Sequence, residues 1–370
     1  MTDYRYEAFK LSLGTSASPT SAANMDVESL KSLPLAYASC SLGCKPEHNI
    51  LRKIEAIAAA GFTGMEASMP DLVALANEKP GSNVGPKDFD QLRDVATTIR
   101  DHCQKHGVEV MLMQPFANFE GWPKASAQHH EAWERVEGWI GIMEVLGCKT
   151  LQVGSTDTPA EKINTDRESI VADLRELADR LAEKGMRVAY ENWCWSTHAP
   201  DWADVWDICR RVDRPNFGLC LDTFQSAGGE WADPTTSSGM VEDGRSREQV
   251  EKDWRASCER LSKTVPADKI YLLQISDAYK PREPFHPEAD SNGMRPRARW
   301  STAWRPLPFE GYLPTVDFAR AVLQTGFRGW FSYEIFDGGP DGSGREHDLK
   351  EWTQAARKCQ DRLVTECAKA

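Results

Sequence analysis

The chain has 370 residues, of which 41% are hydrophobic, and its formal net charge is −12 at pH 7. This acidic balance disfavours binding to nucleic acid or to an anionic membrane surface, because both reward clustered Lys and Arg. No stretch is apolar enough to span a membrane and the first residues contain no apolar signal segment, so we expect a cytoplasmic protein that acts on a small molecule.

The N-terminal residues 1–34 are rich in Ser, Ala and Thr, which predicts a flexible or loosely docked arm. From residue 35 to residue 370, one unit recurs: an amphipathic helix, a helix-ending Gly and a short apolar strand. The glycines are Gly61, Gly107, Gly147, Gly185 and Gly326, and two further junctions contain Pro, in 213–216 and 266–269. With a first strand at roughly 35–41, the pattern predicts eight strands.

The predicted helices have apolar residues at helical spacing, and the clearest are 89–106, 166–184 and 247–265. Thr165 and Glu168 have the spacing of a capping box before the second of these helices, and Ser246 and Gln249 before the third. Strands that alternate with helices at this spacing indicate a parallel sheet. Eight such units, without a Gly-rich dinucleotide motif after the first strand, favour a single-domain (β/α)₈ TIM barrel over an open sheet.

Four connections that follow predicted strands are long: about 68–87, 114–127, 224–246 and 276–313. In a barrel, these loops all lie on the face that carries the active site. Loops longer than about 12–15 residues are usually functional or disordered. Because several of them contain Trp, Phe or Tyr, we expect a structured lid.

Four successive strands in the second half of the chain end on a side chain that has a metal-binding oxygen: Glu191, Asp222, Gln274 and Glu334. Any one of them alone would be equally consistent with a solvent-facing residue or a helix cap. If the strands are parallel members of one barrel, all four side chains meet at the same rim. Such an oxygen-rich set predicts one divalent metal ion, with Mn²⁺ or Mg²⁺ favoured and Co²⁺ or Zn²⁺ as alternatives.

Five other residues are candidates for substrate binding or proton transfer. Glu66 and Gln114 end earlier strands and are predicted to orient substrate hydroxyls, although hydrogen bonding among loops is an equally good interpretation. His198 and His286 follow the fifth and seventh strands and are the best-placed acid–base candidates, although a lone loop His is more often structural. Arg305 lies in the one basic cluster and is predicted to bind a substrate carboxylate or phosphate; a solvated loop is the alternative.

The cysteine pattern argues against a disulfide framework. The chain has ten Cys without a CxxC pair, and several fall within predicted helices and strands. Buried free thiols in a reducing compartment are the better interpretation. The oligomeric state is open, and a homo-oligomer is one option.

Two segments, 191–198 (ENWCWSTH) and 213–224 (DRPNFGLCLDTF), resemble the 3-dehydroshikimate dehydratases of quinate breakdown, which belong to the xylose-isomerase-like barrel superfamily. The similarity continues through 114–116, 297–301, 311–314 and 329–336. The resemblance implies a divalent metal held by the residues that match Glu191, Asp222, Gln274 and Glu334. It also implies enolate formation and loss of water from 3-dehydroshikimate, which gives protocatechuate.

The chain departs from this family at three places. Gln225 stands where His or Asn is common, Thr302 stands where Arg is frequent, and a Gly-rich run occupies 337–344. These departures leave the fold and the metal in place and open the question of the substrate. The alternatives are a sugar or sugar-phosphate isomerase or epimerase of the same superfamily, and a non-catalytic metabolite-binding relative. A barrel endonuclease for abasic DNA would need a His-rich metal cluster and a basic groove, and the sequence contains neither.

Overall fold

The computed structural model describes residues 25–369, in which eight parallel strands form one closed barrel in sequence order. The strands are β1 (Leu35–Ala38), β2 (Gly64–Ser68), β3 (Glu109–Phe116), β4 (Thr150–Gly154), β5 (Arg187–Glu191), β6 (Phe217–Asp222), β7 (Ile270–Ile275) and β8 (Trp330–Tyr333). The barrel closes because β1 pairs with β2 on one side and with β8 on the other. The predicted (β/α)₈ architecture is therefore confirmed.

Helices surround the barrel: α1 (Val27–Lys31), α2 (Ile50–Ala59), α3 (Met69–Ala76), α4 (Phe89–His106), α5 (Ala127–Leu146), α6 (Arg167–Ala182), α7 (Trp202–Val212), α8 (Thr223–Glu230), α9 (Arg247–Thr264), α10 (Pro296–Ala303), α11 (Thr315–Gln324) and α12 (Leu349–Ala368). Their apolar stripes are buried against the strands, as Ile170, Leu174 and Leu177 of α6 illustrate. A smaller apolar cluster is centred on Leu112, Ala189 and Leu272, which are fully buried. The described helices do not include one that is both long and apolar enough to cross a membrane.

The sequence signals for helix ends are mostly accurate. Gly107 and Gly147 adopt the left-handed conformation directly after α4 and α5, as predicted for glycine at these positions. Ser246 caps α9 by accepting a hydrogen bond from the Gln249 amide at 3.2 Å. The predicted cap of α6 at Thr165 is wrong: Asp166 caps this helix, because its carboxylate accepts from the Ser169 amide.

Of the predicted N-terminal arm, 1–34, the first part, 1–24, lies outside the described residues. In the remainder of the arm, Asp26 caps α1, and Leu30 and Leu33 are buried in the hydrophobic core. Strand β1 is shorter than the predicted 35–41, because the chain turns into a 3₁₀ helix at Ser39. There the Ser39 side chain accepts from the Ser68 amide, and its carbonyl accepts from Lys53.

Three of the long connections contain helices, namely α3 after β2, α8 after β6 and α10 after β7. The expectation of ordered segments over the carboxyl ends of the strands is confirmed for these three. Helix α10 places Trp300 in a fully buried position, where its ring packs on Phe224 with a centroid distance of 4.9 Å. The loops are thus joined by their own aromatic contacts.

Candidate active site

The four predicted ligand residues lie at one mouth of the barrel, at the carboxyl ends of strands β5 to β8. Glu191 and Asp222 are the last residues of β5 and β6, and Gln274 is paired with Asp222 in the register of β6 and β7. Glu334 follows β8 directly. All four side chains are buried, and Glu334, the most accessible residue, is 8% exposed. Their convergence follows from parallel strands of matched register.

Two further predicted residues join this group from the opposite side of the barrel. The Gln274 Nε2 donates to Glu66 Oε2 at 2.9 Å, and the Gln114 Nε2 donates to Glu334 Oε1 at 3.0 Å. Glu66 and Gln114 are almost completely buried. The amide groups therefore connect the acidic residues of non-adjacent strands across the mouth, and the bonds fix the orientation of these carboxylates.

Arg305 lies between two of the acidic residues. One guanidinium nitrogen is 2.5 Å from Asp222 Oδ2, and another is 2.8 Å from Glu334 Oε2. The guanidinium also lies over the rings of Phe224 and Phe336, at 4.6 Å and 5.4 Å from their centroids. Burial opposes its positive charge, but the two carboxylates raise the Arg305 pKa above its usual value. In this arrangement Arg305 neutralises protein carboxylates, and its predicted contact with a substrate carboxylate remains a prediction.

The acidic groups of the mouth are destabilised in their ionised form. Burial raises the pKa of Glu191 well above its usual value, and the nearby Glu334 and Asp222 raise it further. Burial, followed by repulsion from Glu334, raises the Glu66 pKa to about 8. Burial also raises the pKa of Asp222 and of Glu334, while Arg305 opposes the shift in both. Such a concentration of buried acid favours a cationic partner.

The residues at the carboxyl mouth fit a divalent metal ion in two ways. They offer oxygen ligands, and some of these oxygens have no hydrogen-bond partner. Glu191 Oε1 and Glu66 Oε1 are buried without a hydrogen-bond partner, whereas the second Glu191 oxygen accepts from Gln152 and from Trp193 Nε1, the latter at 3.0 Å. In the described part of the chain, Glu191, Asp222 and Glu334 do not all place an oxygen within 4.8 Å of one another. Coordination of a shared ion would therefore draw these carboxylates closer together.

A cavity of about 400 Å³ opens above these groups. Its polar lining includes Gln114, Gln152, Asp157, Glu191, Gln225, Ser301, Thr302, Arg305 and Glu334, and its apolar lining includes Pro70, Pro115, Trp193, Trp195, Met294 and Phe336. The rings of Trp193 and Trp195 are stacked, with a centroid distance of 5.2 Å and an interplanar angle of 24°. A cavity of this size, with polar groups at its base and flat aromatic groups at its side, suits a small polar ring compound.

The two predicted proton carriers do not line this cavity. The His198 side chain is buried, and its Nε2 is 3.0 Å from Glu120 Oε1, while its Nδ1 has no hydrogen-bond partner. Glu120 also accepts from the Tyr190 hydroxyl and the Thr156 amide, each at 2.9 Å. His286 is exposed and lines a separate surface depression. The structure therefore places His198 behind the cavity wall and His286 outside it.

Three residues of the site were not identified from the sequence. Gln152 lies near the end of β4 and shares the strand-end pattern that identified the others, so a signal was present. Trp193 lies within the 191–198 segment, where the sequence does not distinguish it from its neighbour Trp195. Glu120, which fixes His198, lies in the loop after β3, and no local pattern marks it. Its role depends on contacts between the loops that follow β3, β4 and β5.

The described residues belong to a recognised class. A family described as xylose isomerase-like TIM barrel matches residues 54–362. Among solved structures, a xylose isomerase-like TIM barrel/4-hydroxyphenylpyruvate dioxygenase fusion protein is 25% identical with a TM-score of 0.65, over 88% of this chain and 42% of that protein. The IOLI protein with a binding zinc atom has a TM-score of 0.63 at 18% identity, over 90% and 98% of the two chains. The chain therefore belongs to the xylose isomerase-like TIM barrel family.

Curated relatives define the family more closely. A 3-dehydroshikimate dehydratase of Neurospora crassa is 37% identical over 82% of this chain and 86% of the relative. A 3-dehydroshikimate dehydratase of Pseudomonas aeruginosa is 30% identical over 78% of this chain, and the match spans 36% of that longer protein. Within its class, the chain belongs to the family of 3-dehydroshikimate dehydratases.

Proposed function

We propose that this protein is a metal-dependent carbon–oxygen lyase that removes water from 3-dehydroshikimate, which gives protocatechuate, or from a close cyclic hydroxy-ketone. The relationship to the Neurospora crassa dehydratase, at 37% identity over nearly the whole relative, carries this proposal. The buried oxygen donors at the carboxyl mouth of the barrel support it independently. We also propose a cytoplasmic location, which is supported by the ten cysteines, all of them free thiols.

In this proposal, Glu191, Asp222, Gln274 and Glu334 would hold one divalent ion, with Mn²⁺ or Mg²⁺ favoured by the all-oxygen donor set. When bound there, the ion would supply Lewis-acid polarisation of a substrate carbonyl. Loss of a proton beside the ketone and departure of the hydroxyl group then lead to the aromatic product. The protein contributes the orientation of the substrate and the exclusion of water from the reacting carbons.

The substrate-binding roles are distributed around the cavity. Gln114, already oriented by Glu334, would contact a substrate hydroxyl, and Glu66 would hold Gln114 and Gln274 in place. Arg305 would bind the substrate carboxylate. This requires the metal ion to replace the Arg305 guanidinium as a partner of Asp222, so that part of the guanidinium is released for the substrate. The stacked indoles of Trp193 and Trp195 would cover the apolar edge of the ring.

The proton carriers in the proposal are His198 and His286. His198 is the better placed of the two, because Glu120 fixes its ring directly behind a loop that contributes Asp157 to the cavity. Burial opposes ionisation of Glu120, but the hydrogen bond from His198 lowers the Glu120 pKa below its usual value. His286 would need the loop after β7 to move toward the cavity.

The direct test is to incubate the metal-depleted protein with 3-dehydroshikimate and separate additions of Mn²⁺, Mg²⁺, Co²⁺ and Zn²⁺. We expect the ultraviolet absorbance of an aromatic acid to appear upon metal addition and to be absent in Glu334→Gln. Gln225 and Thr302, which depart from the family pattern, both line the cavity, so sugars and sugar phosphates should be assayed in parallel. Turnover of a sugar without formation of an aromatic acid would contradict the proposed substrate.

A further inference from the structure

A second group of metal-ligating side chains lies on the outer ring of helices. His102 and His106 belong to α4, and Glu55 belongs to the neighbouring helix α2. One ligand atom from each of the three residues lies within 4.8 Å of the other two. In the described part of the chain, this is the one group of His, Cys, Asp and Glu side chains that meets that distance.

The spacing of the two histidines explains the geometry. Residues four apart on a helix project from the same face, and the His102 and His106 rings lie with their centroids 4.6 Å apart. Glu55 faces them from α2, with its Oε1 3.2 Å from the His102 Nε2. The contact between helices α2 and α4 therefore brings a carboxylate to a pair of imidazoles.

The two histidine rings each have a nitrogen that lacks a hydrogen-bond partner. The Nε2 atoms of both His102 and His106 are buried and make no hydrogen bond. Glu55 is close to His102, but this proximity does not amount to a hydrogen bond. A buried ring nitrogen without a partner carries a desolvation cost, which a metal–nitrogen bond would offset.

We propose that His102, His106 and Glu55 form a binding site for a transition-metal ion, with Zn²⁺ as the best match. Two imidazoles and one carboxylate are a typical three-residue zinc set, which leaves a fourth position for water. A tetrahedral ion with bonds of about 2.0–2.1 Å requires the ligand atoms to approach slightly, and the exposed Glu55 is free to adjust. The ion would link α2 to α4 outside the barrel, and its nitrogen donors set it apart from the all-oxygen site proposed at the carboxyl mouth.

Zinc content tests this site without reference to turnover. The full-length protein and its variants would be equilibrated with Zn²⁺, desalted and assayed for zinc per chain. We expect His106→Ala to hold one zinc ion fewer than the wild type, whatever the carboxyl mouth retains. His130→Ala provides a matched control, because His130 is an exposed helical histidine whose Nδ1 already lies 2.9 Å from the Ser126 carbonyl.

Glu55→Gln keeps the proposal testable if His106→Ala perturbs α4, because it leaves that helix unchanged and replaces a carboxylate ligand on α2 with a neutral amide, which binds Zn²⁺ more weakly. We expect it to lower zinc retention as well, with no change in the metal-free unfolding temperature. Co²⁺ is a second probe, since a tetrahedral Co²⁺ site with imidazole ligands gives visible absorption bands that His106→Ala should lose. Equal zinc content in the wild type, His106→Ala and Glu55→Gln would overturn the proposal.

Discussion

The two mouths of the barrel both carry charged residues, but they differ in how those charges are compensated. The amino mouth has the larger depression, of about 820 Å³, whose lining includes Glu109, Lys149, Arg187 and Tyr271. There the Arg187 guanidinium lies 4.2 Å from the Tyr271 ring centroid and also donates to Thr150 Oγ1 at 2.9 Å. The carboxyl mouth has the smaller cavity, about 400 Å³, above buried acids whose bonding is incomplete.

This comparison favours the carboxyl mouth as the candidate functional site, although its cavity is the smaller of the two. Charges at the amino mouth reach solvent or have partners, so they cost little in stability. Glu191 and Glu334, in contrast, repel each other in a buried environment that raises the pKa of both. An arrangement that opposes folding yet lines a cavity is typical of a binding or catalytic site.

The largest expected difference between the two mouths is in activity. Glu191→Gln removes the negative charge of a proposed metal ligand and leaves a weaker amide oxygen, so we expect the dehydration rate at saturating metal to fall by roughly 10²–10³-fold. Arg187→Gln at the amino mouth is the matched control and should change the rate by less than about threefold. Aromatic product formation from 3-dehydroshikimate provides the measurement for both variants. Comparable losses in the two would contradict the assignment of the site to the carboxyl mouth.

The same substitution should raise stability when metal is absent. Because burial and the neighbouring Glu334 and Asp222 raise the Glu191 pKa, the ionised carboxylate disfavours the folded state at neutral pH. A neutral amide removes this cost, so we expect a higher unfolding temperature for metal-depleted Glu191→Gln than for the metal-depleted wild type. Added Mn²⁺ should stabilise the wild type more than the variant.

The next largest expected effect is the loss of folding stability on substitution of Arg305. It is 1% exposed and pairs with Asp222 and Glu334, so Arg305→Met leaves two buried carboxylates without their cation. Breaking a buried ion pair in this way costs about 3–5 kcal/mol. Arg187→Met breaks a half-buried contact and should cost about 1 kcal/mol. Chemical denaturation measures the free energy of unfolding of the two variants. If Arg305→Met loses only about 1 kcal/mol, as expected for Arg187→Met, the Arg305 ion pairs do not stabilise the carboxyl mouth.

The sequence predicts the fold and much of the site because both depend on local, repeated patterns. Strand-end residues of a parallel barrel must share a mouth, so the sequence predicts that Glu191, Asp222, Gln274 and Glu334 converge; their role as metal ligands stays a prediction. The orientation of Arg305 toward protein carboxylates was not predictable, because it depends on the packing of the loop after β7. The cap at Asp166 instead of Thr165 shows the usual uncertainty of one residue at a helix end.

The histidines provide a test of intermediate size. We expect His198→Gln to lower kcat more than His286→Gln, because Glu120 fixes His198 behind the cavity wall whereas His286 is exposed in another depression. We expect about a 10²-fold fall for His198→Gln, at the lower end of the range for a lost proton carrier, because His198 does not line the cavity. The pH dependence of kcat distinguishes a proton carrier from a structural residue, because substitution of a proton carrier should remove one limb of the pH profile. A larger loss in His286→Gln would indicate that the loop after β7 closes over the substrate.

The smallest expected effect distinguishes two adjacent aromatic residues of the cavity. Trp193 and Trp195 stack on each other, but Trp193 alone of this pair donates its Nε1 to Glu191 Oε2, at 3.0 Å. Trp193→Phe retains most of the aromatic surface and loses a hydrogen bond to a carboxylate, so we expect about a tenfold fall in kcat/KM. Trp195→Phe is the matched control and should have a smaller effect. If the two substitutions are equivalent, the indoles act through surface contact with the substrate, and the orientation of Glu191 depends on Gln152 instead.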